Sequence, residues 1–149
     1  MKGESCRSIL VVCLSDADEA ALDAALERAR NDHARLTLVV PIGRPFPLVG
    51  LACLDQGSLL ADLELHACRT ARRLAARVGP DVPLVLRCPS PVGERRLARE
   101  LENGAYDLCV AGTVGPDLWS LRTRASTRLL RAARRCGIAT LVAAPAVAA

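Results

Sequence analysis

Aromatic side chains are nearly missing from this chain of 149 residues: Phe46, Tyr106 and Trp119 are all it has. Any core must therefore be assembled from Leu, Val, Ile and Ala, and the stacking platforms that single-stranded nucleic acid needs are excluded. Lysine is nearly missing too, because nineteen of the twenty basic residues are Arg. The arginines alternate with Ala, Leu and Glu along helix-like segments. The net charge of +4 thus reads as solvated helix faces, and no nucleic-acid partner is expected. No run approaches the about 18 apolar residues of a membrane span, and the stretch from Ile138 to Ala149 is interrupted by Pro145. Met1 to Arg7 is polar and lacks the apolar centre of a signal peptide. No Gly-rich segment ends in Lys-Ser or Lys-Thr, which excludes a P-loop ATPase. The two histidines, His33 and His66, stand near no acid and nucleophile that would complete a triad, so no catalytic residue is assigned.

Cysteine, by contrast, is plentiful: seven, at positions 6, 13, 53, 68, 88, 109 and 136. No two fall within four residues of each other, so the close pairs of a zinc site are missing and no metal ligand is assigned. Cys13, Cys88 and Cys109 lie in or beside apolar runs, where cysteine acts as a small hydrophobe. Free thiols in a reducing cytoplasm are the expectation. The apolar fraction of 51% with 24% charged residues is that of a globular chain. Its length suits one domain spanning residues 1–149, large enough to bury about 70% of its unfolded surface.

Along the chain, apolar runs alternate with helical periodicity. Ser8 to Leu14 and Leu36 to Val40 are strand-like, the second ended by Pro41. Between them Asp16 and Asp18 offer N-caps, Glu19 completes a capping box, and Leu22, Ala25, Leu26 and Ala29 follow at helical spacing. Residues 41–57, with three prolines and three glycines, read as a loop. Ser58 is placed to cap the next helix, whose stripe runs Leu60, Leu63, Ala67, Ala71, Leu74, Val78 and stops at Gly79-Pro80. Pro83 to Cys88 is a third strand, Val92, Leu97 and Leu101 mark a third helix, and Tyr106 to Ala111 is a fourth strand. Residues 126–136 form a fourth helix and Ile138 to Ala144 a fifth strand. Such alternation implies right-handed crossovers, a parallel sheet and helices on both faces, a three-layer α/β sandwich.

In an open parallel sheet the ligand lies beyond the carboxyl ends of the strands, where the winding reverses. The loop after the fourth strand reads Ala111-Gly112-Thr113-Val114-Gly115-Pro116-Asp117, and Ala125-Ser126-Thr127 follows at the start of a helix. Glycines let a backbone approach phosphate closely, and a helix start offers N–H groups and a favourable dipole. Two glycines after a strand also make an ordinary turn, and Ser126 is equally an N-cap.

The stretch Asp107-Leu108-Cys109-Val110-Ala111-Gly112-Thr113 resembles the strand near the end of universal stress proteins. Nucleotide-binding members carry Gly, two residues, Gly, nine residues, then Gly and Ser or Thr. Here Gly112 and Gly115 match, nine residues follow, and Ala125-Ser126 stands where Gly-Ser is expected. The resemblance implies a five-stranded parallel sheet in the order 3-2-1-4-5 and a regulatory, non-enzymatic role in the stress response. It further implies an adenine nucleotide, ATP or ADP with Mg²⁺ accompanying it, bound as a ligand with at most incidental ATPase turnover. Gly112, Gly115, Ala125, Ser126 and Thr127 would border the phosphates, and Cys13, Leu14, Ser15, Val40 and Pro41 the base. It also implies a homodimer paired through the strand at 139–144, and a nucleotide-free dimeric interaction module is the alternative. The departures are Leu14 where the family has an Asp, Pro41 where it offers an N–H to adenine, and Ala125 for glycine. Asp117 brings a negative charge beside the phosphates that Arg122 and Arg124 are able to offset.

Overall fold

The computed structural model describes residues 5–13, 18–42, 56–112 and 121–143. Its elements run β1 (Ser8–Val12), α1 (Glu19–Asp32), β2 (Arg35–Val39), α2 (Gln56–Ala75), β3 (Leu84–Arg87), α3 (Pro91–Glu102), β4 (Leu108–Gly112), α4 (Leu121–Arg135) and β5 (Ala139–Ala143). The five strands form one sheet in the order β3-β2-β1-β4-β5, every neighbouring pair parallel. This is the fold class and strand order that the sequence led us to expect.

Alternation along each strand divides the core in two. Ile9, Val11 and Cys13 of the first strand join Leu36, Leu38 and Val40 against Ala21, Leu22 and Ala25 of α1 and Ala67, Ala71 and Leu74 of α2. Leu10, Val12, Cys109 and Ala111 face the other way, onto Leu97 and Leu101 of α3 and Leu129 and Ala133 of α4. The three inner strands are buried along nearly their whole length, as strands covered by helices on both faces must be. The outer strands are not. Val85 and Leu86 of β3 and Leu141 and Val142 of β5 are each at least 40% exposed; among the described residues each outer strand has a neighbouring strand on one side only.

Several boundaries differ from the sequence reading. Helix α1 starts at Glu19, so the cap position falls on Asp18, whose side chain makes no cap hydrogen bond. Its other end closes on His33 in the left-handed conformation (φ 52°), with the His33 N–H donating to Ala29 O. Helix α2 starts at Gln56, which puts Ser58 inside the first turn instead of at the cap. Strand β4 starts at Leu108 because Asp107 is used otherwise: its carboxylate accepts from the N–H groups of Arg7 and Ser8, at 2.7 and 3.0 Å. Helix α4 starts at Leu121, five residues before Ser126. Leu, Arg and Ala between 121 and 125 are good helix formers, so the helix takes them up. Ser126 therefore lies in the second turn, where its N–H belongs to the helix ladder and is not an orphan donor. Helix α3 matches the reading closely, with Ser90 accepting from Gly93 N at 3.3 Å as its N-cap.

Candidate functional site

The register of the sheet puts one residue of each strand on a common rim. Val12 pairs with Val39 and with Ala111, Val39 pairs with Arg87, and Gly112 pairs with Ala143. One step further along, Cys88, Val40, Cys13, Gly112 and Ala143 stand in a row across the carboxyl edge. Their side chains belong to the α1 and α2 face of the sheet: Cys13 and Val40 are buried there, and Cys88 and Ala143 pack against it. The winding reverses between β1 and β4, so the middle of this row, Cys13 and Gly112, is the switch point. Four of the residues expected at the site, Cys13, Val40, Pro41 and Gly112, thus gather on one edge. Leu14, Ser15 and Gly115 lie outside the described residues, as do the side chains of Ala125, Ser126 and Thr127.

Gly112 has a neighbour that the sequence did not suggest. A Cβ built on it would lie 2.0 Å from Asp18 Oδ1 and 2.6 Å from Asp18 Cγ. The start of α1 folds the Asp18 carboxylate over the end of β4. The bare backbone at Gly112 therefore accommodates a carboxylate of the chain itself, whereas the sequence reading kept that space for phosphate. Asp18 looked like a capping residue and nothing more, since no local pattern couples position 18 to position 112.

Cys13 completes the cluster. Its N–H donates to Val39 O at 2.9 Å and its thiol to the Asp18 carbonyl at 3.8 Å. Burial, reinforced by Asp18, pushes the Cys13 thiol up to about 12. A thiol held protonated in this way is a packing group, not a nucleophile. Burial alone does the same to Cys109 on the opposite face, also to about 12.

The backbone at the end of β2 is fully committed. Val40 N–H donates to Arg87 O at 2.9 Å, and Ile42 N–H donates to Pro89 O at 3.0 Å. Pro41, buried between them, has no N–H to offer. The segment from 40 to 42 therefore prolongs the pairing with the chain after β3 and keeps no donor for the edge of a base. Among the described residues, no group of three or more His, Cys, Asp or Glu side chains could hold a metal ion. Among them, too, no helix is long and apolar enough to cross a membrane.

Comparison with known proteins bears on fold first. No protein-family model matches the sequence, and no curated protein matches it. A crystal structure of a protein from the universal stress protein family of Burkholderia pseudomallei superposes with a TM-score of 0.66 at 28% identity, over 97% of this chain and 99% of that one. The fold is that of the universal stress proteins. A universal stress protein solved in complex with cAMP is similar over 96% of this chain and 100% of its own, with a TM-score of 0.53 and 19% identity. The universal stress protein of Archaeoglobus fulgidus, solved in complex with dAMP, has a TM-score of 0.57 and 12% identity over 92% of this chain and 97% of that one.

Proposed function

We propose that this chain is a regulatory protein that binds an adenine nucleotide at the carboxyl edge of the sheet, between β1 and β4. The observation that carries the proposal is the Asp18 carboxylate set against Gly112 at the switch point. A carboxylate at that place is an acceptor for ribose hydroxyls or the adenine amino group. It repels phosphate, so the phosphates would lie away from it, along Gly115, Ala125, Ser126 and Thr127, with Arg122 and Arg124 as counter-charges. Leu14, Ser15, Val40 and Pro41 would line the base side by shape, since the 40–42 backbone has no donor left. Asp18 would in this way stand in for the acid that universal stress proteins carry where this chain has Leu14. Support comes from proteins of the same fold solved with cAMP and with dAMP.

In this proposal residues 1–149 act as one domain, the ligand extends to ATP or ADP with Mg²⁺, and the nucleotide is not turned over at a useful rate. The test is thermal unfolding with millimolar AMP, cAMP, or ATP with Mg²⁺, on the wild type and on Asp18→Asn and Gly115→Val. A ligand at 100 times its Kd stabilises by about 2.7 kcal/mol, which raises the midpoint of a domain this size by roughly 5–10 °C. Smaller shifts are expected in both variants. A wild type that melts at the same temperature with and without every nucleotide rules the proposal out.

One observation favours a second reading, a nucleotide-free homodimeric interaction module. Strand β5 is an outer strand with Leu141 and Val142 exposed at 43% and 42% and no charged residue between Ala139 and Ala143. Such an edge is a ready surface for pairing with a twofold mate through residues 139–144.

A further inference from the structure

The two helical layers treat their arginines differently. Around α1 and α2 the arginines find acids: Arg28 pairs with Asp32 at 2.6 Å, Arg30 with Asp81 at 2.8 Å, and Arg77 with Glu19 and Asp23 at 2.6 and 3.2 Å. Helix α4 contains no acidic residue, and Arg128, Arg131, Arg134 and Arg135 are exposed along it. Helix α3, packed against it, exposes Arg95, Arg96 and Arg99. The acids of α3 offset few of these charges. Glu94 is buried, 3.6 Å from Arg128. Glu100 accepts from Arg87 of β3 and from the Tyr106 hydroxyl, and Glu102 closes the helix. Among the described residues, Arg95, Arg96, Arg99, Arg131 and Arg135 enter no ion pair.

This arrangement carries repulsion. Arg95 and Arg99 lie four residues apart on one helix, as do Arg131 and Arg135 on the other, and Arg128 precedes Arg131 by three, so like charges are neighbours on each helix surface. The helix dipole accounts for Arg99, Arg134 and Arg135 in the last turns, but not for Arg95, Arg96, Arg128 or Arg131. We propose that the face formed by α3 and α4 docks an acidic helix of a partner protein, with Asp or Glu repeating at helical spacing. A guanidinium fork pairs with a carboxylate through two parallel hydrogen bonds. Arg128, Arg131 and Arg135 repeat at the three-and-four spacing that the carboxylates of such a helix also follow.

The rest of the face favours carboxylates over other anions. The large exposed apolar side chains of the described residues, Leu65, Val85, Leu86, Leu141 and Val142, all lie outside α3 and α4, so the face has nothing to insert into a lipid interface. Neither helix holds an aromatic residue on which a base would stack. Lysine, the point charge that serves a diffuse anionic surface equally well, is used at none of these positions. The face lies across the sheet from α1 and α2, and docking there needs no nucleotide.

The experiment uses the full chain and, as probe, a fluorescein-labelled alanine-based peptide of roughly 20 residues with Glu at every third or fourth position, long enough to be helical in water. Its anisotropy should rise and saturate at micromolar protein. The double variant Arg131→Glu, Arg135→Glu should weaken binding by about tenfold or more, and raising salt from about 0.05 to 0.2 M should weaken it further. Arg95→Gln with Arg99→Gln, which removes charge from α3 without reversing it, should weaken binding by about threefold or more. The control Arg69→Glu, Arg72→Glu reverses two exposed arginines of α2 and should stay within about twofold of the wild type. All these positions are exposed, so the variants should keep the helical circular dichroism of the wild type. Duplex DNA and phosphatidylserine vesicles are titrated in parallel. No binding of the Glu peptide at the lower salt overturns the proposal, as does an equal loss in the α2 control, or tighter binding of the duplex or the vesicles.

Discussion

The carboxylate of Asp18 occupies the space that Gly112 leaves by having no side chain. A Cβ at 112 would lie 2.0 Å from Oδ1 and 3.3 Å from the Asp18 Cβ. Any residue larger than glycine must displace the acid, and the short Asp side chain, rooted at the start of α1, has little room to swing. Gly112→Ala should therefore destabilise by about 1–3 kcal/mol through overpacking. Asp18→Ala removes the two closest atoms, so Gly112→Ala should cost clearly less in that background. Denaturant unfolding of the four proteins in a double-mutant cycle reads the coupling, expected at about 0.5–3 kcal/mol. Strict additivity would mean that the two residues do not meet in solution.

The same contact decides how nucleotide binding is tested. A bulky residue at 112 would disturb α1 and β4 whether or not a phosphate ever lies there. Loss of binding in such a variant would carry no information about the ligand, which is why Gly115 and Asp18 are the informative positions.

Leu10 lies in the middle of β1, fully buried between Thr37 and Cys109 of the flanking strands and packed with Leu97, Leu101 and Leu129. Truncation to Ala should cost about 2–5 kcal/mol, a large part of a typical domain's stability. Leu10→Asp places an unpaired charge in the same pocket and should leave no cooperative melting transition. A soluble Leu10→Asp protein with a sharp calorimetric peak would refute the central position of β1.

The alternation of strands and helices and the parallel sheet were legible because apolar runs and helical spacing are local signals, and Leu, Val and Ala repeat them without interruption; the strand order came from the resemblance alone. Edge status is not such a local signal, and the outer place of the fifth strand was expected only through the order that the resemblance implies. Val85 and Leu141 look no different in sequence from Leu10, yet they are 40% and 43% exposed because their strands end the sheet. Ser126 misled for a local reason, since a serine after a Gly- and Pro-containing loop resembles a cap, while the helix formers before it carry α4 back to Leu121. The rim residues Cys13, Val40, Pro41 and Gly112 were found by motif and strand-end reasoning. The Asp18–Gly112 contact was not found, because it joins residues that only the fold brings together.

Alkaline pH tests the buried thiols. Cys13 and Cys109 ionise near 12 in the folded chain against an ordinary value of 9.0. Both values are raised, so the unfolded chain gives up these protons first as pH rises. Their contribution is whole below pH 9 and is lost between pH 9 and about 12. Across that window each thiol should lower stability by about 1.4 kcal/mol per pH unit. Cys109→Ala should flatten the alkaline slope by about one such increment when urea midpoints are followed against pH. Equal slopes in the two proteins would show that Cys109 ionises as easily folded as unfolded. Native alkylation at pH 8 should meanwhile mark exposed Cys68 and Cys136 and spare Cys13 and Cys109.

The outer strand β5 yields the last prediction. Leu141 and Val142 project from a strand whose second edge has no partner among the described residues, and both are more than 40% exposed. Parallel or antiparallel addition of a second copy would satisfy the free backbone groups and bury both side chains at once. A charge on such an edge opposes that pairing, the device by which natural sheets keep their edges single. Under the homodimer reading, the wild type should elute and scatter light as a dimer at micromolar concentration, and Val142→Lys as a monomer with unchanged helical content. A wild type that stays monomeric as its concentration is raised would leave this edge as solvent-facing surface, and the interaction-module reading would fall with it.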